Sequence, residues 1–229
     1  MFKNIVVLDT ETLNLVKSEK VLPHNNLPYH IGWSVVRPTT GEVMTEHSFI
    51  IKEFFFDEAE RMRSAYYADK IPQYLMGIAS GEHKVVSFFE AMLTLSAECR
   101  EYNVVAICAH NARFDVDALN TAVHYLTGEY IHALPDDLEV WDSMKMAKSI
   151  YGSRPSYRKF CEAHGLMTAH KTPRVRMTAE ALFQFLTSDP SFSEAHTALE
   201  DVRIEREIIF ACYRAHKKMD RVLYHKREN

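Results

Sequence analysis

The chain predicts an α/β fold with a leading antiparallel hairpin, and three observations carry that expectation. Short β-branched runs alternate with segments of helical period, the first strands follow one another closely, and turn-forming residues separate them. Ile5-Val6-Val7-Leu8 is apolar and largely β-branched, and reads as a buried strand. From His30 to Arg37, alternating Ile31, Trp33 and Val35 give the period of a second strand. Pro38 to Gly41 is turn-like and Val43 to Lys52 supplies a third strand, so these two form a hairpin. Residues 54–80 are aromatic and of mixed period, and read as a helical excursion. Val85 to Tyr102 carries apolar residues at Val85, Phe88, Phe89, Met92, Leu93 and Leu95, a helical spacing. Val104 to Ala109 is a central-type strand, Phe114 to Leu126 a helix, and Leu138 to Trp141 a short strand. Helical patterns follow from Asp142, Ser156 and Thr178, and a last helix runs from about Thr197 to beyond Tyr213. No repeat or linker interrupts residues 1–229, so one domain is expected.

Composition narrows the class. With 47% hydrophobic and 25% charged residues, the chain resembles an ordinary globular protein with material for a real core. Its apolar runs are too short to cross a bilayer, and Met1-Phe2-Lys3-Asn4 leads directly into a strand instead of a signal peptide. No membrane association is expected. Cys99, Cys108, Cys161 and Cys212 are isolated, which argues against structural zinc and for reduced thiols in the cytoplasm. Net charge is −4 but uneven: residues 145–176 hold eight Lys/Arg against Glu162 alone. The tail is basic as well, through Arg214, Lys217, Lys218, Arg221, Lys226 and Arg227. That asymmetry suits a phosphate-backbone track beside an acidic floor, or simply a solvated helical face.

The acids carry the chemistry. Asp9 and Glu11 sit two apart at a strand end, so both carboxylates face one side and can reach one cation. Hard oxygen ligands of this kind suit magnesium or manganese. A D-x-E pair arises by chance about once in such a chain, and Asp137-Leu138-Glu139 is a second example. What singles out the first is its place after a buried strand. Asp115 opens a helix after the Val104 strand, where ligands of open α/β sheets collect. A helix-capping role is the plain alternative for an acid there. His196 and Asp201 are about 140° apart on a regular helix, too far to share a face. His196 is therefore expected on a loop, mobile and at the rim as a general base, with Asp201 in the first turns of the helix.

Three motifs together resemble the DnaQ-like, or DEDDh, 3′–5′ exonucleases: Val6-Val7-Leu8-Asp9-Thr10-Glu11-Thr12, Asn111-Ala112-Arg113-Phe114-Asp115, and His196-Thr197-Ala198-Leu199-Glu200-Asp201. Trp141-Asp142-Ser143 also matches that family between the second and third motifs. The resemblance implies a ribonuclease-H-like fold, with a mixed five-stranded sheet flanked by helices. It further implies that Asp9, Glu11 and Asp201 hold one Mg2+ or Mn2+, that Asp9 bridges to a second ion supported by Asp115, and that His196 takes the proton of the attacking water. Thr12, Leu13, His110, Asn111 and Phe114 flank the motifs and are expected to touch the terminal nucleotide, with Leu13 and Phe114 as wedges or stacking surfaces; a core role fits Phe114 equally. Tyr66, Tyr67, Tyr74 and Phe54 to Phe56 are expected in core or lid packing, with base stacking as the alternative. The chain departs from the family in lacking a glycine shortly after the first motif, where Thr12-Leu13-Asn14-Leu15 follows.

The implied substrate is the 3′ end of single-stranded DNA, with an oligoribonuclease or RNA-trimming enzyme as the nearest alternative. A non-catalytic nucleic-acid-binding module is the alternative of another class, and would have lost one of the acids. A polymerase partner is expected to dock, if at all, on the basic C-terminal helix.

Overall fold

In the computed structural model, residues 3–14, 26–215 and 219 are described. His24 and the tail cations Lys217, Lys218, Arg221, Lys226 and Arg227, with the docking role expected of them, lie outside those residues. The strands are β1 (Asn4–Asn14), β2 (Asn26–Arg37), β3 (Glu42–Ile51), β4 (Lys84–Val86), β5 (Val104–Ala109) and β6 (Glu139–Asp142). The helices are α1 (Ala59–Arg63), α2 (Ile71–Ser80), α3 (Phe88–Glu101), α4 (Arg113–Thr127), α5 (Ser143–Tyr151), α6 (Pro155–Ala163), α7 (Ala179–Thr187) and α8 (Ala198–Arg214). They assemble a mixed six-stranded sheet in the order β4-β3-β2-β1-β5-β6. β2 runs antiparallel to both β1 and β3, while β4, β5 and β6 join in parallel.

The expected five strands are present, and β4 is an addition. Val85 and Val86, read from sequence as the start of a helix, instead extend the sheet beside Phe49 to Ile51. The helix begins at Phe88 because Ser87 caps it, its Oγ accepting from Glu90 N–H at 3.1 Å. Residues 54–80 do form a helical excursion, made of a π-helical turn over Glu53–Asp57, α1, a 3-10 turn over Ala68–Lys70, and α2. Phe54, Phe55 and Tyr74, expected in core or lid packing, anchor it in the core together with Met62, whereas Phe56 and Tyr66 are exposed.

β1 is buried on both faces, and its two rows of side chains have different neighbours. Val6 and Leu8 join a core with Leu95 of α3 and Leu119 of α4. Ile5 and Val7 pack against Val202, Ile209 and Phe210 of α8. Alternation extends that second row to Asp9 and Glu11. The other side of α8, through Ile204, Ile208 and Cys212, packs on α5, α6 and α7. The carboxylate row of β1 and the first turns of α8 are thus clamped together by apolar contacts further along the same two elements.

Gly32 makes this approach possible. It pairs with Asp9 across the β1–β2 ladder, and a Cβ there would stand 2.6 Å from the backbone of Ala198 and Leu199. The start of α8 is also tied to the sheet by His30, whose Nδ1 accepts from Ala198 N–H at 3.2 Å. An amide can only donate, so Nε2 carries the ring proton and gives it to Ser48 Oγ at 2.8 Å, and Ser48 donates to His83 Nδ1 at 2.7 Å. Burial, with the nearby His83, holds His30 well below its ordinary pKa and so neutral. No helix among the described residues is long and apolar enough to cross a membrane.

Candidate active site

The carboxyl ends of β1 and β5 and the start of α8 enclose a cleft of 660 Å³. Its lining includes Asp9, Glu11, Thr12, His110, Asn111, Phe114, His196 and Asp201 from the sequence-predicted set. Ligand atoms of Glu11, His196 and Asp201 all lie within 4.8 Å of one another, although nearly the whole chain separates the first from the last.

Asp115 stands just behind the cleft wall, almost wholly buried. Its Oδ1 accepts from Thr10 N–H at 3.1 Å and from Thr10 Oγ1 at 2.9 Å. This carboxylate therefore grips β1 at the residue between Asp9 and Glu11, and the capping residue of α4 is Ala112. Asn111 turns the chain into α4 with a φ of 66°, a left-handed conformation that asparagine tolerates better than most residues. Its N–H donates to Asp142 Oδ1 at 3.1 Å, and the same oxygen caps α5 through Met144 N–H at 3.0 Å. Asp142, noted only as a strand-end motif, locks the two loops together.

Two expected contacts are placed differently from the sequence reading. Leu13 is completely buried in the core with Leu8, Leu27 and Tyr29, and does not line the cleft. The β1–β2 ladder slips between Glu11 and Thr12, leaving Tyr29 without an opposite partner; beyond that slip Leu13 joins the core. His110 lines the cleft, but both ring nitrogens are committed. Nε2 donates to Met177 C=O at 2.7 Å, so Nδ1 accepts from Ser143 Oγ at 2.9 Å. Burial keeps this imidazole below its ordinary pKa. Phe114 lies on the cleft wall, 37% exposed.

His196 does precede α8 on a loop, with a strained φ of 52°. The expected mobile imidazole is instead held. Tyr67 stacks on its ring at 4.7 Å and 20°, and Tyr74 Oη donates to its carbonyl at 3.2 Å. Lys70 Nζ donates to the carbonyl of Ala195. The excursion between β3 and β4 thus orders the loop that carries the imidazole.

Glu205 and Glu194 were missed by sequence reasoning. Glu205 is one helical turn after Asp201, 2% exposed, and its Oε2 accepts from His110 N–H at 3.1 Å. That i, i+4 spacing was legible in the last helix. Glu194 Oε2 stands 3.9 Å from His196 Nδ1. Burial, with charge from Glu180, pushes its carboxyl up to about 7. Tyr67 was expected in core or lid packing and Lys70 had no local signal, because the tertiary fold alone brings them to the loop that carries His196.

The electrostatics of the floor call for positive charge. Burial, then repulsion from Asp115 and Glu194, raises Asp9 well above the carboxylate range. Burial with Asp9 and Asp201 pushes Glu11 up to about 10; burial with Asp9 pushes Asp201 up to about 8. Burial lifts Asp115 to about 7, and Glu205 rises for the same reason together with the charge on Asp9. Lys70 opposes these shifts at Glu11 and Asp201. Asp201 Oδ1 is buried with no hydrogen-bond partner. A buried carboxyl oxygen left without a partner among crowded acids fits a hard divalent cation, and the donor set fits it too.

In sheet order, in helices on both faces and in the acidic cleft at its strand ends, this chain has the fold of solved DEDDh nuclease domains. The nuclease domain of 3'hExo, a DEDDh family member solved with rAMP, matches it with a TM-score of 0.59 over 96% of each chain, at 10% sequence identity. The structure of a 3'-exonuclease recognising the 3'-end of the histone mRNA stem-loop matches with a TM-score of 0.60, over 96% of this chain and 85% of that one, also at 10% identity. At that identity the likeness is one of fold. No protein-family model matches the chain, and no curated protein does.

Proposed function

We propose that the protein is a metal-dependent 3′–5′ exonuclease that releases nucleoside monophosphates from single-stranded DNA. The observation that carries the reading is the convergence of ligand atoms of Glu11, His196 and Asp201 within 4.8 Å of one another, on a floor where Asp201 Oδ1 is buried without a hydrogen-bond partner. Asp9, Glu11 and Asp201 would hold the cation, with Asp115 behind them supporting a second site from its remaining oxygen. Bound Mg2+ or Mn2+, two ions in this reading, supplies Lewis acidity and neutralises charge on the phosphate.

The chain's own residues do the rest. His196 accepts the proton of the attacking water; burial and Lys70 keep its pKa below the ordinary value, so it is neutral and competent near neutral pH. Glu194, beside its Nδ1, steadies the imidazolium once formed. Tyr67 and Tyr74 fix the angle at which the ring meets the cleft. Thr12, Asn111 and Phe114 lie where a terminal nucleotide enters, and exposed Phe114 offers a stacking face. Leu13 has no part in this scheme, and His110 serves through its bonds to Ser143, Met177 and Glu205.

RNA is the second reading of the substrate, since the two neighbours above are described with rAMP and with an mRNA stem-loop. Matched DNA and RNA single strands labelled at the 5′ end separate the two. A ladder shortened from the 3′ end in Mg2+ or Mn2+, and abolished by EDTA, is the expected result. A ladder that persists in EDTA, or none with any divalent ion, overturns the assignment.

A further inference from the structure

Beside the acidic cleft lies a larger groove of 1210 Å³, and both count Met144 and Thr178 in their walls, so the two adjoin. Three elements give the groove its charge. α5 presents Lys145 and Lys148, three residues apart and hence neighbours on one helix face. α6 adds Arg158. The third element is a narrow hairpin over residues 166–176. Thr168 N–H donates to Arg174 C=O at 2.8 Å, Arg176 N–H donates to Leu166 C=O at 2.9 Å, and Met167 bridges Val175. In extended backbone Arg174 and Arg176 fall on the same side, and both line the groove. Arg174 N–H also donates to Thr168 Oγ1 at 3.0 Å, which fixes the turn.

Among the described residues no carboxylate lines this groove, whereas the adjoining cleft is lined by Asp9, Glu11, Glu194, Asp201 and Glu205. The groove's cations are exposed. Arg158 pairs with Glu162 at 2.8 Å and Lys145 stands 3.9 Å from Asp142. Among the described residues, Lys148, Arg174 and Arg176 have no carboxylate partner. An ordinary solvated face would display the cations of one helix interleaved with acids. Here cations from two helices and a hairpin converge on one concavity, which focuses their field on whatever enters. Its size, nearly twice that of the cleft, suits a length of chain and not a lone anion.

We propose that this groove is the track for the phosphodiester backbone of a single strand, holding the nucleotides on the 5′ side of the one cut in the cleft. The direction of the strand rests on the exonuclease reading; the affinity of the groove for a polyphosphate chain does not.

Two measurements on the full chain test it. Binding of a labelled single strand of about 15 nucleotides is followed in EDTA over a range of salt. The wild type is compared with a Lys148→Gln, Arg174→Gln, Arg176→Gln variant and with an Arg100→Gln control on the exposed surface of α3. The groove variant should bind at least about tenfold more weakly, and its log K against log salt slope should fall by about 2, since each single-strand phosphate contact accounts for about 0.7. Cleavage in Mg2+ then compares that strand with a dinucleotide: the variant's loss should be at least about tenfold greater on the long strand. Unchanged affinity and slope, an equal loss on both substrates, or an equal loss in the control overturns the proposal. A wild type that binds through the groove in EDTA but cuts with no divalent ion leaves the groove standing and removes the exonuclease reading instead.

Discussion

The carboxylates on the cleft floor come from regular elements whose other faces are core: Asp9 and Glu11 from β1, Asp115 from α4, Asp201 and Glu205 from α8. The groups around the imidazole come from irregular backbone. Tyr67 and Lys70 lie between α1 and α2, and Glu194 and His196 on the loop before α8. The floor is held against mutual repulsion by apolar packing further along the same strand and helix. The rim is held by one ring stack and two bonds to carbonyls, across a positive φ. Rigid elements therefore carry the charges that repel, and the irregular segments carry the group that must meet a proton.

That contrast can be broken most severely at the floor. Asp201→Asn removes the buried anionic oxygen, and cleavage should fall to background while the protein stays folded. Retained cleavage by this variant would take Asp201 out of the cation site. His196→Ala comes next: kcat should drop roughly 10²–10⁴-fold with strand binding preserved. Full turnover would show that the imidazole is not the base.

Gly32→Ala tests how the floor is assembled. A methyl group 2.6 Å from the α8 backbone forces that helix away from β2, at a cost of about 1–3 kcal/mol in stability. A displacement on the order of 1 Å at Asp201 should lower activity by about 10²-fold. An active, equally stable variant would mean that helix and sheet do not depend on this approach.

Tyr67 probes the rim alone. Tyr67→Ala should reduce kcat by about tenfold with little change in KM, and Tyr67→Phe should restore it, since stacking needs the ring and not the hydroxyl. A matched fall in both variants would point to the hydroxyl instead.

The smallest effect is thermal. A carboxyl with a raised folded-state pKa stabilises the fold below its unfolded value, and that contribution is lost as pH climbs through the folded value. For Asp115 and Asp201 the loss runs from about pH 4 up through about 7 and about 8. In EDTA, Tm should therefore fall between pH 6 and 9, by about 4 °C or more. Mg2+ or Mn2+ should recover more of it at the upper end, where the ligands are ionised. A flat Tm in EDTA across that range would show that the floor does not carry this strain.

Much of this protein is legible from residue order. The Val104–Ala109 strand is read to the residue and most other elements to within a few positions, because β-branched runs and helical periods are local properties, while β1 runs six residues past the expected Leu8 and β4 was not foreseen. The acids of the floor are legible because strand alternation and the first turn of a helix dictate which side a residue faces. Distance decides the rest. Leu13 joins the core just beyond a slip of the ladder with β2 at Glu11, a register change that no local pattern in β1 announces. Tyr67 and Lys70 become neighbours of His196 only through a fold that spans more than a hundred residues. The basic run at 145–176 is visible as composition, yet a helix face and a run of charge look alike until α5, α6 and the 166–176 hairpin close around one groove. Sequence fixes what each short segment prefers; which segments meet is set by burying apolar surface across the whole chain.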